Sequence, residues 1–141
     1  MRIYQALYRY YQTVTAVTDL VGTRVFDIHA DQGRATDYPV LVVEVIDSAP
    51  FHQIGSTAPS ATRRPVAVYC IAEGSNKAAE DLADVVYAAT INQATAITTA
   101  AGSLTVRSVH LNGRRNEFED ALETNQKLYS VVLEFDFIHD L

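Results

Sequence analysis

The sequence predicts an α+β fold: a mostly antiparallel sheet of about four strands, two helices packed on one face, and a long projecting loop or hairpin arm. Runs of β-branched residues mark strands in the middle and at the end of the chain. Apolar residues at helical spacing precede and separate these runs. Neighbouring strands favour antiparallel hairpins, and a polar segment between two of them supplies the arm.

The composition is that of a globular domain. The chain has 141 residues, which suits one domain spanning residues 1–141. Cys70 is the only cysteine, so no intrachain disulfide can form, which fits a reducing compartment. The first residues lack the apolar region of a signal peptide, and no apolar run reaches the roughly 20 residues that a membrane span needs. We expect a protein of the cytoplasm, or of a particle assembled there.

The first segment has the periodicity of a helix, with an apolar stripe of Ile3, Leu7, Tyr10, Tyr11, Val14 and Val17. Tyr4 and Tyr8 widen this stripe and predict a second contact face on the same helix. Gly22 suits the turn that ends the segment. Val25 and Phe26 then indicate a very short strand or an extended anchor.

Two strong strands flank the predicted arm. Residues 40–46 and 66–72 are rich in β-branched residues and favour buried strands. Residues 47–63 between them hold Gly55, Pro59 and few large apolar groups. Loops beyond about 12 to 15 residues are uncommon in compact domains and are usually functional or disordered. We expect this segment to continue both strands partway as a projecting hairpin.

The second half predicts one more helix and two strands. Ser75 suits an N-cap, and the helix after it should end near Asn92. Residues 93–103 are a Thr/Ala-rich connection that ends in a turn. A third strand is expected over residues 104–111, and Asn112-Gly113 is a strong turn dipeptide. Residues 114–126 are polar, and alternation over residues 129–137 predicts a final strand with one buried face.

The charge balance bears on nucleic acids. The formal net charge is −6, and the only clusters of basic residues are Arg63-Arg64 and Arg114-Arg115. Affinity for phosphates comes mainly from Lys and Arg, so the chain should bind nucleic acid poorly without a partner. Acidity of this kind favours solubility, or a surface that must not adhere to DNA.

No catalytic arrangement is recognisable, and we expect no enzymatic activity and no cofactor. A reactive thiol needs access to solvent, whereas Cys70 lies between Tyr69 and Ile71 in a predicted strand and should be buried. No histidine pair has the i, i+4 spacing or another ligand spacing of a metal site. The acidic run of Glu117, Glu119, Asp120 and Glu123 is interpreted as a solvated loop, or as one that pairs with basic residues of a neighbour.

One cluster has a more metal-like pattern. Asp27, His29, Asp31 and Asp37 would place several side chains on one side of an extended segment. The glycine and terminal glutamate of a calcium-binding EF-hand loop are missing. We therefore interpret the cluster as a polar surface loop and predict no metal site.

Taken in order, these elements resemble the tail completion (tail terminator) proteins of long, non-contractile-tailed phages. The stretch Leu20-Val21-Gly22-Thr23-Arg24-Val25-Phe26 is similar to the family's "Leu-Val-Gly-x-Arg-Val-Tyr". Tyr38-Pro39-Val40 is similar to its "Tyr-Pro-Tyr-Val" at the start of a strand. Residues 63–71 and 129–137 also resemble family strands, whereas residues 47–63 and 112–127 follow no family pattern.

The resemblance implies a ring, commonly a homohexamer, that caps the head-proximal end of the tail tube in the virion. The partners it implies are the tail tube protein and a head-tail connector protein, with DNA passing through the lumen without specific binding. The arm, the loop at 112–127 and the tyrosines of the first helix would supply the contacts. The candidate interface residues are Tyr4, Tyr8, Phe51, His52, Ile54, Arg63, Arg64, Arg114, Arg115, Glu117 and Glu119.

Two other classes remain open. One is a head-tail connector or minor tail protein with the same fold. The other is a small-ligand-binding or enzymatic domain, which would need a deep pocket that gathers several of His29, Asp31, His52 and His110.

Overall fold

A computed structural model describes residues 2–28, 37–46, 49–51, 61–121 and 126–140. Helices and strands both occur, as the α+β prediction requires. The helices are α1 (Ile3–Thr13), α2 (Thr15–Val21), α3 (Asn76–Thr90) and α4 (Ala94–Ala101). The strands are β1 (Val25–Asp27), β2 (Val40–Val45), β3 (Ala49–Phe51), β4 (Ala61–Glu73), β5 (Val106–Ala121) and β6 (Gln126–Asp140).

The strands form one sheet in the order β1-β2-β4-β6-β5, and β3 pairs with the start of β4. Every pairing is antiparallel except that of β1 with β2, which is parallel. The predicted fold class is confirmed, and the described sheet is larger than the four strands expected. No helix in the described ranges is both long and apolar enough to cross a membrane.

The core lies between the helices and one face of the sheet. Alternate residues of β4, such as Val68 and Cys70, point to the helices, as do Leu133, Phe135 and Phe137 of β6. These side chains are almost completely buried, and burying each large one contributes about 1.5 to 3 kcal/mol. The predicted alternation of the last strand and the burial of Cys70 are therefore confirmed. We call the covered side the helix face and the opposite side the second face.

The first predicted helix is broken in two. Val14 has an extended backbone (φ −95°, ψ 105°), which separates α1 from α2. Thr13 directs its hydroxyl to the carbonyl of Tyr10 at 2.6 Å, a local bond that competes with helix continuation. The break changes the direction of the chain while Val17 still reaches the core. Gly22 then ends α2 with φ 56°, as expected from its position.

The helix after Ser75 forms as predicted, and a further one follows it. The Ser75 hydroxyl accepts the N–H of Ala78 at 3.2 Å and caps α3. Residues 93–103, expected to be a connection, contain α4. Its threonines are weak helix formers, but Ile97 and Ala101 are fully buried in the core. Tertiary packing therefore outweighs intrinsic propensity in this segment.

The predicted turn at Asn112-Gly113 was wrong. β5 runs through these residues, and a register shift between Leu111 and Gly113 accommodates one extra residue as a bulge. Asn112 donates its side-chain N–H to a carboxylate oxygen of Asp136 across the ladder at 2.6 Å. The polar residues that follow, expected to be a loop, continue β5 as far as Ala121. They pair with β6 from its first residue.

The sheet therefore has two distinct ends. At one end, Ala49–Phe51 of β3 pair with Arg63–Ala61 of β4, which confirms the first part of the predicted hairpin arm. Its remainder, residues 52–60, lies outside the described residues. At the other end, β5 and β6 form a long antiparallel pair that extends to Ala121 and Gln126. We call these the arm end and the hairpin end.

Candidate functional site

The predicted interface residues fall into three places. Tyr4 and Tyr8 lie on α1. Phe51, Arg63 and Arg64 lie at the arm end, and His52 and Ile54 fall outside the described residues. Arg114, Arg115, Glu117 and Glu119 lie on β5 toward the hairpin end. The structure therefore does not gather these residues into one patch, and it puts two of the three groups at opposite ends of the sheet.

The tyrosines of α1 form a partly buried pair. The ring centroids of Tyr4 and Tyr8 are 6.3 Å apart, and both side chains pack against the core. Tyr4 donates its hydroxyl to the carbonyl of Val25 at 3.2 Å and so ties α1 to β1. Gln5 and Arg9 join these rings around a shallow surface cavity of about 320 Å³. Both rings thus stabilise the fold with their buried parts, and their exposed parts can meet another molecule.

The two arginines at the arm end point in opposite directions, because successive side chains of a strand alternate between faces. Arg63 lies on the second face, where its Nε is 3.1 Å from a carboxylate oxygen of Asp136. Arg64 lies on the helix face and lines a cavity beside the start of α1. Both were predicted to be interface residues, but Arg63 already has a partner in its own chain.

The arginines of β5 also pair within the chain. Arg114 reaches from the helix face of β5 to Asp84 of α3 at 2.8 Å. Arg115 lies on the second face, 3.0 Å from Glu117, and it also pairs with Glu134. Exposed pairs of this kind contribute roughly 0 to 1 kcal/mol, so exchanging one for a pair with a neighbour costs little.

The described residues contain no group of three or more His, Cys, Asp or Glu side chains that could hold a metal ion. Asp27 and Asp37 of the metal-like cluster are placed, whereas His29 and Asp31 lie outside the described residues. Burial raises the pKa of the Cys70 thiol to about 12, so it stays protonated near neutral pH. A protonated buried thiol is a poor nucleophile and a poor metal ligand.

The positions of two residues, His139 and Phe118, were not predicted from the sequence. His139 is 93% buried, since only 7% of it is exposed, and it continues the inward row of β6 by one more step. Extending the alternation predicted for residues 129–137 by two residues would have predicted that His139 is buried. Phe118 is 56% exposed on the helix face near the hairpin end, 4.9 Å from the ring of Tyr129. It was assigned to a loop because Asn112-Gly113 was interpreted as a turn.

Comparison with known proteins gives a match in structure only. No protein-family model matches the chain, and no curated protein sequence matches it. Among solved structures, the chain is similar to one from "Virion of native gene transfer agent (GTA) particle". The TM-score is 0.66 at 14% sequence identity, and the match covers 97% of this chain and 94% of the other. The two chains therefore share a fold over nearly their whole lengths.

Proposed function

We propose that this chain is a non-catalytic structural protein of a phage-like virion. It forms a ring at the head-proximal end of the tail tube, ends tube polymerisation and joins the tail to the head. The observation that carries this proposal is the fold shared, over 97% of the chain, with a chain of a gene transfer agent virion. The resemblance of Leu20–Phe26 and Tyr38–Val40 to tail terminator proteins favours this role among virion proteins.

The two ends of the sheet support a ring. A closed ring is built from head-to-tail contacts, in which two different surfaces of the same chain meet. β4 alone has 13 residues, which corresponds to about 40 Å of extended chain between the arm end and the hairpin end. Surfaces that far apart cannot meet within one molecule. We expect them to meet between neighbouring copies.

The charge of the chain supports the passage of DNA through such a ring. Each copy carries a formal net charge of −6, and a ring multiplies this by the number of subunits. An acidic lumen repels phosphates, so a genome can pass without adhering. The remaining surfaces would contact the tail tube protein and a head-tail connector protein, after assembly in the host cytoplasm.

Deleting the gene from the particle that encodes it tests this role. We expect heads without tails and tubes of irregular, excessive length, because nothing ends polymerisation. Electron microscopy of purified particles measures tube length and joining. Tubes of normal length attached to heads would overturn the proposal. Free tails of normal length in the deletion, together with the chain bound to isolated heads of unmodified particles, would indicate a connector instead.

Shortening the arm tests how the ring docks. Replacing residues 52–60 with a short Gly-Ser linker should leave a folded chain that fails to cap tubes, because it removes the segment predicted to make the docking contact. The exchange Lys77→Glu is a control, since Lys77 is exposed on α3 and its salt bridge with Asp81 is also exposed. Tails of normal length with the shortened arm would show that the arm is not the docking element.

A further inference from the structure

A cavity of about 360 Å³ opens at the arm end of the sheet, on the helix face. Arg2 and Tyr4, at the start of α1, form one wall. Asp27, the last residue of β1, lies beside them. Arg64 of β4 and His139 of β6 complete the polar lining. Three elements that are distant in sequence, α1, β4 and β6, thus bring two arginines and a histidine to one opening.

Two buried nitrogen atoms of this lining lack a partner among the described residues. They are Nε of Arg64 and Nε2 of His139. The other ring nitrogen of His139, Nδ1, lies 2.8 Å from the carbonyl oxygen of Asp140 and donates to it. Nε of Arg64 is always a donor, whereas Nε2 of a neutral His139 ring with its proton on Nδ1 is an acceptor. Buried donors are nearly always paired, so Nε of Arg64 calls for an acceptor beyond those of the described residues.

The charges around the cavity favour a ligand with a single negative charge. Arg2 and Arg64 contribute two positive charges, and Asp27 offsets one of them. The first turn of α1 contains no acidic residue, so the partial positive charge of its N-terminus is not offset within that turn. A carboxylate has the right charge and, with two oxygens, can accept from more than one donor.

Exposed carboxylates lie at the opposite end of the same sheet. Glu73, Glu117 and Glu119 are all exposed at the hairpin end. Glu117 already pairs with Arg115, whereas Glu119 lies two residues closer to the tip of the hairpin. The run from Arg64 to Glu73 along β4 spans about 30 Å, so these carboxylates cannot reach the cavity of their own chain.

We propose that the cavity binds a carboxylate from the hairpin end of a second copy of this chain, with Glu119 as the residue that enters. Each copy then offers a cavity at one end and a carboxylate at the other, which gives the head-to-tail contact that a ring needs. This inference rests on the proposed function, because it identifies the contact between ring subunits.

A cross-linking experiment tests the contact directly. Arg2→Cys and Glu119→Cys are made in separate proteins, which are mixed under mild oxidation. Disulfide-linked dimers should form in the mixture and not in either protein alone. The native Cys70 is fully buried and does not compete. The absence of mixed dimers at concentrations where the unsubstituted chain assembles would overturn the proposal.

A charge exchange tests the chemistry of the contact. Arg64→Glu and Glu119→Arg should each weaken assembly at least tenfold, as measured by native mass spectrometry across a concentration series. The double variant should recover most of the loss, since it restores one pair of opposite charges. Lys77→Glu and Asp81→Arg, which make the same charge changes on the exposed face of α3, should leave assembly unchanged.

These results separate the docking contact from the proposed function. Rescue by the double variant supports the contact, and equal loss in the single and double variants overturns it. Circular dichroism of each variant confirms folding, and Glu119→Gln, a change at an exposed site, provides a variant that should fold in any case. Tail length in particles tests the proposed function independently. If the charge variants lose this contact but still cap tails at normal length, the contact is wrong and the proposed function is not.

Discussion

Cys70 and Tyr11 show how burial alters titratable side chains in this protein. Both belong to the core beneath the helices and are fully buried. Loss of hydration raises the pKa of Cys70 to about 12, although the charge of Arg114 lowers it slightly. Burial also raises the pKa of Tyr11, against a smaller opposing effect of its hydrogen bond to Thr90. Both groups are therefore neutral throughout the physiological range.

These shifts predict how stability depends on pH. The Cys70 thiol ionises near its ordinary value of 9.0 when the chain is unfolded, but near 12 when it is folded. Above pH 9 the folded state therefore binds more protons, and the free energy of unfolding should fall as pH rises further. Urea unfolding between pH 7 and pH 11 measures this. Cys70→Ala should reduce the slope between pH 9 and 10, and an unchanged slope would contradict the assignment.

At the scale of elements, one buried hydrogen bond joins α1 to α3. The Tyr11 hydroxyl of α1 lies 2.8 Å from that of Thr90 at the end of α3. The Thr90 hydroxyl itself donates to the carbonyl of Val86 at 2.7 Å. Tyr11 must therefore be the donor between the two side chains. No local pattern indicates this contact, because its partners are 79 residues apart.

The direction of that bond predicts unequal costs for two small changes. Tyr11→Phe removes the donor and leaves Thr90 bonded to Val86, so it should cost about 1 kcal/mol. Thr90→Val leaves the buried Tyr11 hydroxyl without an acceptor and should lower the free energy of unfolding by roughly 1 to 3 kcal/mol. The double variant should be less destabilised than the sum of both. Chemical denaturation measures all three, and equal single costs would mean that Thr90 is the donor.

The elements also show where local pattern is sufficient and where it fails. β4 and β6 were predictable because strong β-branched alternation agrees with their burial. Asn112-Gly113 has the chemistry of a tight turn, yet pairing with β6 continues on both sides of it, and the strand absorbs it as a bulge. α4 was missed because it packs most extensively against α1, which lies at the other end of the sequence from any local window around α4.

At the scale of the whole molecule, the candidate site depends on long-range pairing. The alternation of side chains along a strand puts Arg63 and Arg64 on opposite faces of the sheet, and this could be predicted from the sequence. The meeting of Arg2, Arg64 and His139 requires the strand order β1-β2-β4-β6-β5. A sequence without related sequences beside it cannot establish that order, since many orders bury the same residues. The fold class could therefore be predicted from the sequence, whereas the cavity could not.

Removing the hairpin end should separate folding from assembly. Glu119, Lys127 and Leu128 at this end do not belong to the core. Joining Phe118 to Tyr129, which face each other in the ladder, through an Asn-Gly turn should keep the fold with a modest fall in melting temperature. The shortened chain should remain monomeric by light scattering. Undiminished assembly would show that other surfaces hold the copies together.

The bulges of β5 bear on how this protein avoids uncontrolled aggregation. β5 ends the sheet on one side, and an edge strand with regular backbone groups can recruit a strand from another molecule. Its register shifts after Val106 and after Leu111 interrupt that regularity, and Arg107 and Arg114 place charges along it. Lateral growth into fibrils is thereby discouraged. A chain with such an edge can reach a high concentration inside a crowded cell without precipitating.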